Sequence, residues 1–350
     1  MNAELTIGLR PYVARQNSYV ERNREILEQI GSVLEVPPPL PLLGKVLLRL
    51  CTFKSPKMFD VAIIHWREDV IVLAQKKPAL IGILAYFLSI HLYRIAARRV
   101  VYIRHNKYPH KVLPRYQDRV RRLIRKGQSL CHAVVAHSPS YAKEHDYNYI
   151  PHPLYKLSLS EAGEPSGEYV VFGAIAEYKK IEELVEAWSG DRQLLIAGPC
   201  DDPTYLAELQ KLAVDKAIRF EVGYQDQDEM GQRLANSNGV IIVNDPGSMI
   251  ISGTFFFAIS SGAPVFARTD PFYDWVSSTS LRDCLRTFDT VAELADHIAA
   301  ADDRRGPESG AVRAAAVEHF GDEAVLRAWK SLFEQIDVQA MLVTEKSNAR

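Results

Sequence analysis

The sequence alternates short apolar runs rich in β-branched residues with segments of helical periodicity, and it does so in two successive series. This alternation is typical of parallel strands joined by crossover helices. A chain of 350 residues exceeds the size at which one hydrophobic core usually stops growing. The two series therefore predict two doubly wound, Rossmann-like α/β domains. Because ligands of such sheets bind outside the carboxyl ends of the strands, we expect the domains to face each other across a ligand-binding cleft.

The apolar runs predict the strands and the boundary between the domains. We predict strands at residues 5–9, 32–36, 61–65, 100–104, 133–137 and 149–150, and then at 169–172, 193–197, 218–222, 240–243 and 264–267. The stretch 157–167 is polar and rich in turn-forming residues, which is typical of a linker. The predicted domains are residues 1–157 and 168–320, followed by a last helix at residues 321–337.

Several helix starts are marked by capping residues. Ser18 and Glu21 form a capping-box pattern before an apolar helical period. Asp202 precedes Pro203, and this pair predicts another helix start. Asp226 can cap a third helix in the same way.

Two apolar segments of the first half raise the question of membrane contact. Residues 79–97 contain His91 and Arg94, which favours a buried crossover helix over a membrane-inserted one. Residues 40–53 form a basic amphipathic pattern. That pattern suits a crossover helix on the sheet or a helix lying in a membrane interface. The N-terminal residues predict a strand and no secretory signal.

Charge is unevenly distributed along the chain. Up to residue 165 there are 25 Lys and Arg against 13 Asp and Glu, and after it there are 17 against 30. A basic half suits a polyanion such as nucleic acid, an anionic membrane surface or a lipid phosphate. Nucleic acid is disfavoured, because the basic residues are not interleaved with aromatic ones in a recognisable module. The four cysteines lack metal-binding spacing, so we expect a reducing compartment and no metal site.

Two strand–loop–helix segments of the second half carry candidate ligand-binding residues. The string FGAIAEYKK contains Gly173, which allows a ligand to approach the backbone, and Lys179, which supplies positive charge. Further on, Ser252, Gly253 and Thr254 open a helix, whose free N–H groups and dipole favour a diphosphate. Taken alone, Lys179 could be a surface lysine and Ser252 an ordinary N-cap.

The motifs, taken in order, resemble one enzyme family. The strings FGAIAEYKKIEELVEAW, LLIAGPCDDPTYLAELQKLA and SGTFFFAISSGAPVFA are similar to the donor domain of GT-B glycosyltransferases of the family 4 type. The strings HW at 65–66, HNKYPH at 105–110, HSPSY at 137–141 and IPHP at 150–153 resemble a bacterial polysaccharide-building branch of that group. The closing string HFGDEAVLRAWKSLFEQI resembles the family's last helix, which packs back on the first domain.

This resemblance implies a hexosyltransferase that transfers sugar from a UDP- or GDP-linked donor to an acceptor hydroxyl, without a metal or other cofactor. It implies that Lys179 neutralises the donor pyrophosphate beside Gly173, and that Ser252, Gly253 and Thr254 form the phosphate-facing helix terminus. Together with the basic first half, it suggests a polyprenyl-diphosphate-linked or other glycan acceptor in exopolysaccharide synthesis. The protein would then be cytoplasmic and peripherally attached to the inner face of the plasma membrane.

Three positions depart from the family pattern. Ala174 stands where an arginine commonly follows the loop glycine, and Met249 and Phe257 stand in place of two glutamates. Donor identity, and whether the anomeric configuration is retained or inverted, are therefore left open. An inverting enzyme needs a general base on the acceptor side. Glu68, Asp69 and His105 are the candidates, and Asp69, which follows the HW motif, is the first choice.

Two further residues are predicted to contact the sugar or acceptor. Glu68 precedes Asp69, and His110 closes the segment that His105 opens after a central strand. A histidine in such a place is also commonly a structural hydrogen-bonding group. Two alternative functions remain: a sugar-nucleotide epimerase of the same fold, which needs no acceptor, and a non-catalytic glycosyltransferase-like binding subunit, which the lost arginine and glutamates would suit.

Overall fold

The structure is a computed structural model that describes residues 5–12, 18–72, 77–109, 112–160, 166–245, 249–300 and 309–338. The chain divides into two compact units. The first contains residues 1–153 and 322–350, and the second contains residues 154–321. Each unit has a six-stranded sheet of parallel strands with helical crossovers, so the predicted pair of doubly wound α/β domains is confirmed.

The first unit is built on a parallel sheet whose strand order is 2-1-3-4-5-6. Its strands are β1 (Thr6–Arg10), β2 (Ser32–Glu35), β3 (Phe59–His65), β4 (Ala97–Arg104), β5 (Ala133–Ala136) and β6 (Asn148–Tyr149). Its helices up to this point are α1 (Ser18–Leu27), α2 (Pro39–Cys51), α3 (Leu80–Ala96), α4 (Gln117–Gln128) and α5 (Pro139–His145).

The second unit has the strand order 12-11-10-7-8-9. Its strands are β7 (Tyr169–Phe172), β8 (Leu194–Gly198), β9 (Ile218–Val222), β10 (Gly239–Ile242), β11 (Val265–Arg268) and β12 (Leu285–Phe288). Its helices are α6 (Ile181–Ala187), α7 (Pro203–Leu212), α8 (Gln227–Ala235), α9 (Gly253–Ser261), α10 (Pro271–Ser277), α11 (Val291–Ala300) and α12 (Ser309–Phe320). The last helix, α13 (Asp322–Gln335), belongs to the first unit.

Each boundary of a predicted strand lies within three residues of the corresponding observed boundary. One strand of the described residues was not predicted. That strand, β12, has only four residues, of which Leu285 alone is buried. It lies at the edge of the second sheet, and among the described strands it pairs only with β11. A short, half-exposed edge strand gives little apolar alternation, which explains why the pattern does not mark it.

The long apolar segment of the first half forms a crossover helix, as predicted. Helix α3 connects β3 to β4, which pair in parallel. It buries Tyr86, Ile90 and Tyr93 in the core of the first unit. Among the described residues, none of the helices combines the length and apolar character needed to span a membrane.

Two of the predicted helix caps are confirmed. The Asp202 carboxylate accepts hydrogen bonds from the backbone N–H groups of Thr204 and Tyr205, at 2.9 and 3.2 Å. Asp226 caps α8 in the same way. Each carboxylate satisfies N–H groups that have no acceptor within the first turn of the helix.

The beginning of the predicted linker is held along α8 of the second unit. The Ser158 amide donates to the Asp228 carboxylate at 2.8 Å, and the Ser160 amide donates to the Gln232 side chain at 2.8 Å. Residues 161–165 lie outside the described part of the chain. The chain passes from the first unit to the second at Pro153, so these serines already belong to the second unit.

Helix α13 packs against α1 in the first unit. Trp329 and Phe333 are buried in the core that also contains Ile26, and Arg22 forms an ion pair with Asp322. This core fills one face of the first sheet, and a separate core with α2, α3 and α4 fills the other. The last helix thus completes the covering of the first sheet.

Candidate functional site

Three predicted site residues of the second unit converge at the carboxyl end of β7. Lys179 Nζ donates to the backbone carbonyl of Phe172 at 3.0 Å, and Thr254 Oγ1 donates to the same oxygen at 3.1 Å. A Cβ atom on Gly173 would lie 2.9 Å from Lys179 Nζ and 3.5 Å from Thr254 Oγ1. Because glycine lacks that atom, the ammonium group can approach the strand end beside the hydroxyl group.

Lys179 is buried at the carboxyl end of β7. Lys179 is only 8% exposed, and burial lowers the pKa of its ammonium group to about 8. Among the residues that the structure describes, no carboxylate forms an ion pair with it. A buried ammonium group is unfavourable unless an anion compensates its charge. The geometry therefore suits an anionic ligand at this position.

The amino end of α9 supplies further positive potential. Ser252 occupies the N-cap position, but its side chain makes no capping hydrogen bond. Gly253 is exposed, and a Cβ atom there would be no closer than 3.7 Å to the nearest neighbour, the Tyr155 hydroxyl. The first N–H groups of a helix have no intrahelical acceptor and lie at the positive end of its dipole. The helix terminus can therefore bind phosphate oxygens.

Gly198, a glycine outside the predicted site, lies directly against the loop that contains Gly173. Gly198, at the end of β8, has φ of +145°, and a Cβ atom there would lie 2.2 Å from the Gly173 carbonyl oxygen. The Gly173 carbonyl can approach the end of β8 this closely only because Gly198 lacks a side chain.

We expect Gly198→Ala to destabilise the second unit by about 2 kcal/mol or more, because overpacking and an unfavourable φ combine. The matched control is Gly190→Ala, since Gly190 also has positive φ but no atom lies within 4 Å of its virtual Cβ. Chemical denaturation of both variants checks this expectation. Equal destabilisation of both would show that the contact with Gly173 has no effect of its own.

The positions of the two family glutamates are apolar in this chain. Phe257 is buried, and its ring centroid lies 4.9 Å from that of Phe172 and 5.4 Å from that of Tyr155. The Met249 sulfur accepts a hydrogen bond from Asn244. Neither side chain can accept a hydrogen bond from a sugar hydroxyl as a carboxylate does.

The first unit gathers histidines at the ends of four neighbouring strands. His65 ends β3, while His105, His137 and His152 follow β4, β5 and β6. We call these four residues the histidine cluster. All are buried. Tyr19 of α1 lies among them, with ring-centroid distances of 4.7 to 5.6 Å to the four imidazoles.

A chain of hydrogen bonds fixes the centre of the histidine cluster. Trp329 Nε1 donates to Asn23 Oδ1 at 3.2 Å, and Asn23 Nδ2 donates to the Tyr19 hydroxyl at 2.7 Å. The Tyr19 hydroxyl lies 2.7 Å from His137 Nε2, and His137 Nδ1 lies 2.8 Å from the Ile150 carbonyl oxygen. Since a carbonyl only accepts, His137 carries its proton on Nδ1 and accepts from Tyr19 through Nε2.

Burial keeps the histidine cluster neutral. It lowers the pKa of His65 to about 3 and that of His137 to about 4, and it lowers the pKa of His105 and His152 well below the usual value. The neighbouring imidazoles lower it further for His65, His105 and His152. Among the described residues, no group of three or more His, Cys, Asp or Glu side chains is arranged to hold a metal ion.

The predicted site residues of the first unit lie in different environments. His105 belongs to the histidine cluster and stacks on Trp66 with ring centroids 4.2 Å apart. Asp69 is exposed on the short 3-10 helix that follows Trp66. Glu68 is fully buried and accepts a hydrogen bond from Tyr102 at 2.5 Å. The predicted contact of this carboxylate with the sugar or acceptor stays a prediction. His110 lies outside the described residues.

The sequence analysis did not single out the other members of the histidine cluster as site residues. His65, His137 and His152 each follow or end an apolar run, and the carboxyl ends of parallel strands lie along one edge of a sheet. That shared position is the signal that could have grouped them. Tyr19 gives no such signal, because it lies within a helix.

Comparison with known proteins identifies the fold. Neither a protein-family model nor a curated protein sequence matches the chain. The structure is similar to that of HepE from Anabaena in complex with UDP-glucose, with a TM-score of 0.62 and 14% identity over 95% of this chain and 100% of that chain. It is also similar to AviGT4, a glycosyltransferase involved in avilamycin A biosynthesis, with a TM-score of 0.59 and 14% identity over 95% of this chain and 98% of that chain.

A third similar structure is WaaG, a glycosyltransferase involved in lipopolysaccharide biosynthesis. The TM-score is 0.56, with 12% identity over 93% of this chain and 98% of that chain. In all three cases nearly the whole of both chains is aligned, so the likeness extends over both units. The two parallel sheets with their crossover helices therefore form the GT-B fold of glycosyltransferases.

Proposed function

We propose that the protein is a glycosyltransferase that uses a nucleoside-diphosphate sugar as donor. The observation that carries this proposal is the buried ammonium group of Lys179 at the uncapped amino end of α9. A diphosphate supplies the negative charge that both groups lack. UDP-linked sugars are our first choice over GDP-linked ones, because HepE has the same fold and its structure contains UDP-glucose.

The reaction breaks the bond between the anomeric carbon and the diphosphate oxygen and forms a bond from that carbon to an acceptor hydroxyl oxygen. Negative charge then develops on the departing diphosphate. We expect Lys179 and the first N–H groups of α9 to stabilise this charge. The acceptor hydroxyl loses its proton, and Asp69 or a neutral His105 is our candidate to receive it.

For the acceptor we propose a lipid-linked or oligosaccharide glycan in exopolysaccharide synthesis, such as one carried on polyprenyl diphosphate. The excess of basic residues before residue 165 suits an anionic acceptor and an anionic lipid surface. The protein would act in the cytoplasm, peripherally attached to the inner face of the plasma membrane, without a metal or other cofactor.

Calorimetric titration with UDP and GDP tests the donor site. We expect saturable binding of one nucleotide that weakens about tenfold or more in Lys179→Ala, a loss of at least about 1.4 kcal/mol. Binding of neither nucleotide would favour a non-catalytic binding subunit. Such a subunit would agree with Ala174, Met249 and Phe257, which stand in place of the family's arginine and two glutamates. Conversion of a nucleotide sugar without any acceptor would favour an epimerase.

Nucleotide affinity should depend on pH because the Lys179 ammonium group has a pKa of about 8. Only the protonated form attracts the diphosphate, so the dissociation constant of UDP should rise about tenfold between pH 7 and pH 9. Titrations across this range measure the effect, and the control Lys180→Met, which keeps the Lys179 ammonium group, should show the same rise. An unchanged dissociation constant in the wild-type protein would contradict the assignment of Lys179 to the diphosphate.

A further inference from the structure

One face of the first unit exposes large apolar side chains on two adjacent helices. Helices α2 and α3 both contribute to the same core, yet each also directs leucines or isoleucines to solvent. Phe53, just after α2, is 99% exposed and has φ of +54°, an unfavourable backbone conformation for a bulky residue. Six residues at least 60% exposed form what we call the apolar face: Leu40, Leu48, Phe53, Leu80, Ile81 and Leu84.

The side chains of the apolar face are not the ones that pack α2 and α3 into the core. On α2 the buried side chains are Leu42 and Val46, and on α3 they include Tyr86, Ile90 and Tyr93. A helix that is apolar on both sides is typical of a protein interior or a membrane environment. Scattered exposed leucines are ordinary, but six large, exposed apolar side chains on or directly beside two helices that contact each other indicate an interaction surface.

A basic pocket lies at the carboxyl end of α3. It has a volume of about 370 Å³ and is lined by Pro56, Lys57, His91, Arg94 and Ile95. Lys57 Nζ donates to the backbone carbonyls of Arg94 and Ala97, at 2.5 and 2.9 Å. Burial lowers the pKa of Lys57, and the nearby charges of Arg98, Arg94 and Arg99 lower it further. Among the described residues, the lining includes the cations of Lys57 and Arg94 and no carboxylate, which suits an anion.

The pocket and the apolar face share helix α3. Leu80, Ile81 and Leu84 lie in its first half, and Arg94 lies in its last turn. The segment after α2 also connects the pocket to the apolar face. Arg49 of α2 donates to the Ser55 carbonyl at 2.6 Å, and Lys57 donates to the Arg94 carbonyl at the end of α3. Apolar side chains beside an anion-binding pocket match the two parts of an anionic lipid, its acyl chains and its phosphate.

We propose that the apolar face docks on an anionic lipid bilayer, with a lipid phosphate bound in the pocket of Lys57 and Arg94. The docking proposal takes the membrane as partner from the proposed function. It adds which surface of the protein contacts that membrane. A second copy of the chain is a poorer occupant. A symmetric dimer through this face would bring the cations of both copies together without carboxylates to pair them.

Co-sedimentation with vesicles tests the docking surface. We expect the wild-type protein to bind phosphatidylglycerol-containing vesicles and to bind pure phosphatidylcholine vesicles far more weakly. The variant Leu48→Gln/Phe53→Gln/Leu84→Gln should lose binding on the order of a hundredfold, because three large apolar side chains no longer leave water. The variant Lys57→Gln/Arg94→Gln should lose about fivefold for each cation, since each contributes about 1 kcal/mol at an anionic surface.

The matched control removes the same charge from the opposite face of the sheet. Arg327→Gln/Lys330→Gln changes two exposed residues of α13, which packs on the other side of the first sheet. Its vesicle binding should stay within about twofold of wild type, because charges beyond a Debye length of about 10 Å are screened. Thermal unfolding of every variant shows whether it is folded.

Several outcomes would overturn the docking proposal. These are failure of the wild-type protein to bind anionic vesicles, equal losses in the pocket and control variants, and a dimer in solution that the three apolar substitutions dissociate. Binding of inorganic phosphate in the pocket without vesicle binding would point to a soluble ligand instead. UDP titration of the same variants separates the two proposals, since UDP binding without vesicle binding rejects only the docking surface. Vesicle binding without UDP binding rejects the proposed function.

Discussion

At about pH 4.5 we expect the first unit to unfold while the second unit stays folded. Burial lowers the pKa of His65 to about 3 and that of His137 to about 4. Relative to neutral pH, these two histidines together remove about 5 kcal/mol of stability at this pH, at 1.36 kcal/mol per pKa unit. His105 and His152 act in the same direction. Natural domains are stable by only about 5–15 kcal/mol.

The sign of the effect follows from which state binds protons. In the unfolded chain these histidines titrate near pH 6.5, and in the folded unit they titrate well below it. Between these values the unfolded state binds more protons, so stability falls as the pH decreases. The loss begins below about pH 6.5 and, for His65, continues to about pH 3.

Hydrogen exchange with mass spectrometry measures each unit separately during an acid titration. His65→Asn should lessen the loss of stability, because asparagine keeps a polar group near the Nδ1 position but does not titrate in this range. The control is His91→Gln, since His91 is an exposed histidine of the same unit. It should leave the titration unchanged. Full protection of the first unit at about pH 4 would show that the cluster accepts protons without unfolding, contrary to our expectation.

Lys179→Met should stabilise the protein and abolish nucleotide binding together. The pKa of the Lys179 ammonium group is about 8 instead of 10.5, which corresponds to an unfavourable free energy of about 3 kcal/mol for the charged form at neutral pH. Methionine keeps most of the apolar side-chain volume and carries no charge. We expect the Tm of the second unit to rise by about 5 °C or more.

The pH dependence separates this effect from a change in packing. Between about pH 8 and pH 10.5 the unfolded wild-type chain binds a proton at Lys179 that the folded protein has lost. Wild-type stability therefore rises with pH in this window, and its difference from Lys179→Met becomes smaller. A gain of stability that is independent of pH would mean that the charge is not its cause.

The neighbouring residue provides the control. Lys180 is partly exposed and forms an ion pair with Glu182 at 3.6 Å, so Lys180→Met should change the stability by less than about 0.5 kcal/mol. Calorimetric scans without UDP give the stability of each variant, and scans with UDP show whether it binds the nucleotide. UDP should raise the Tm of wild type and of Lys180→Met, but not that of Lys179→Met. A UDP-dependent rise in Lys179→Met would contradict the proposed donor site.

The sequence alone determined the class of fold and the position of its loops. Alternating apolar runs marked every strand except β12, and capping carboxylates such as Asp202 and Asp226 marked helix starts. These features are local, because strand and helix periodicities and caps involve residues a few positions apart. Gly173, Lys179 and Thr254 were predicted as one site, and the structure brings their atoms together.

Only the tertiary structure decided which side chains are buried and which of them meet. Tyr19 contacts His137, which is 118 residues away in sequence, and Glu68 is buried although its neighbour Asp69 is exposed. The burial of Lys179 and the exposure of Phe53 are equally absent from the local pattern. Burial depends on which elements pack together, and packing joins residues whose separation in sequence no periodicity reports. The charge state and accessibility of each site residue follow from that packing.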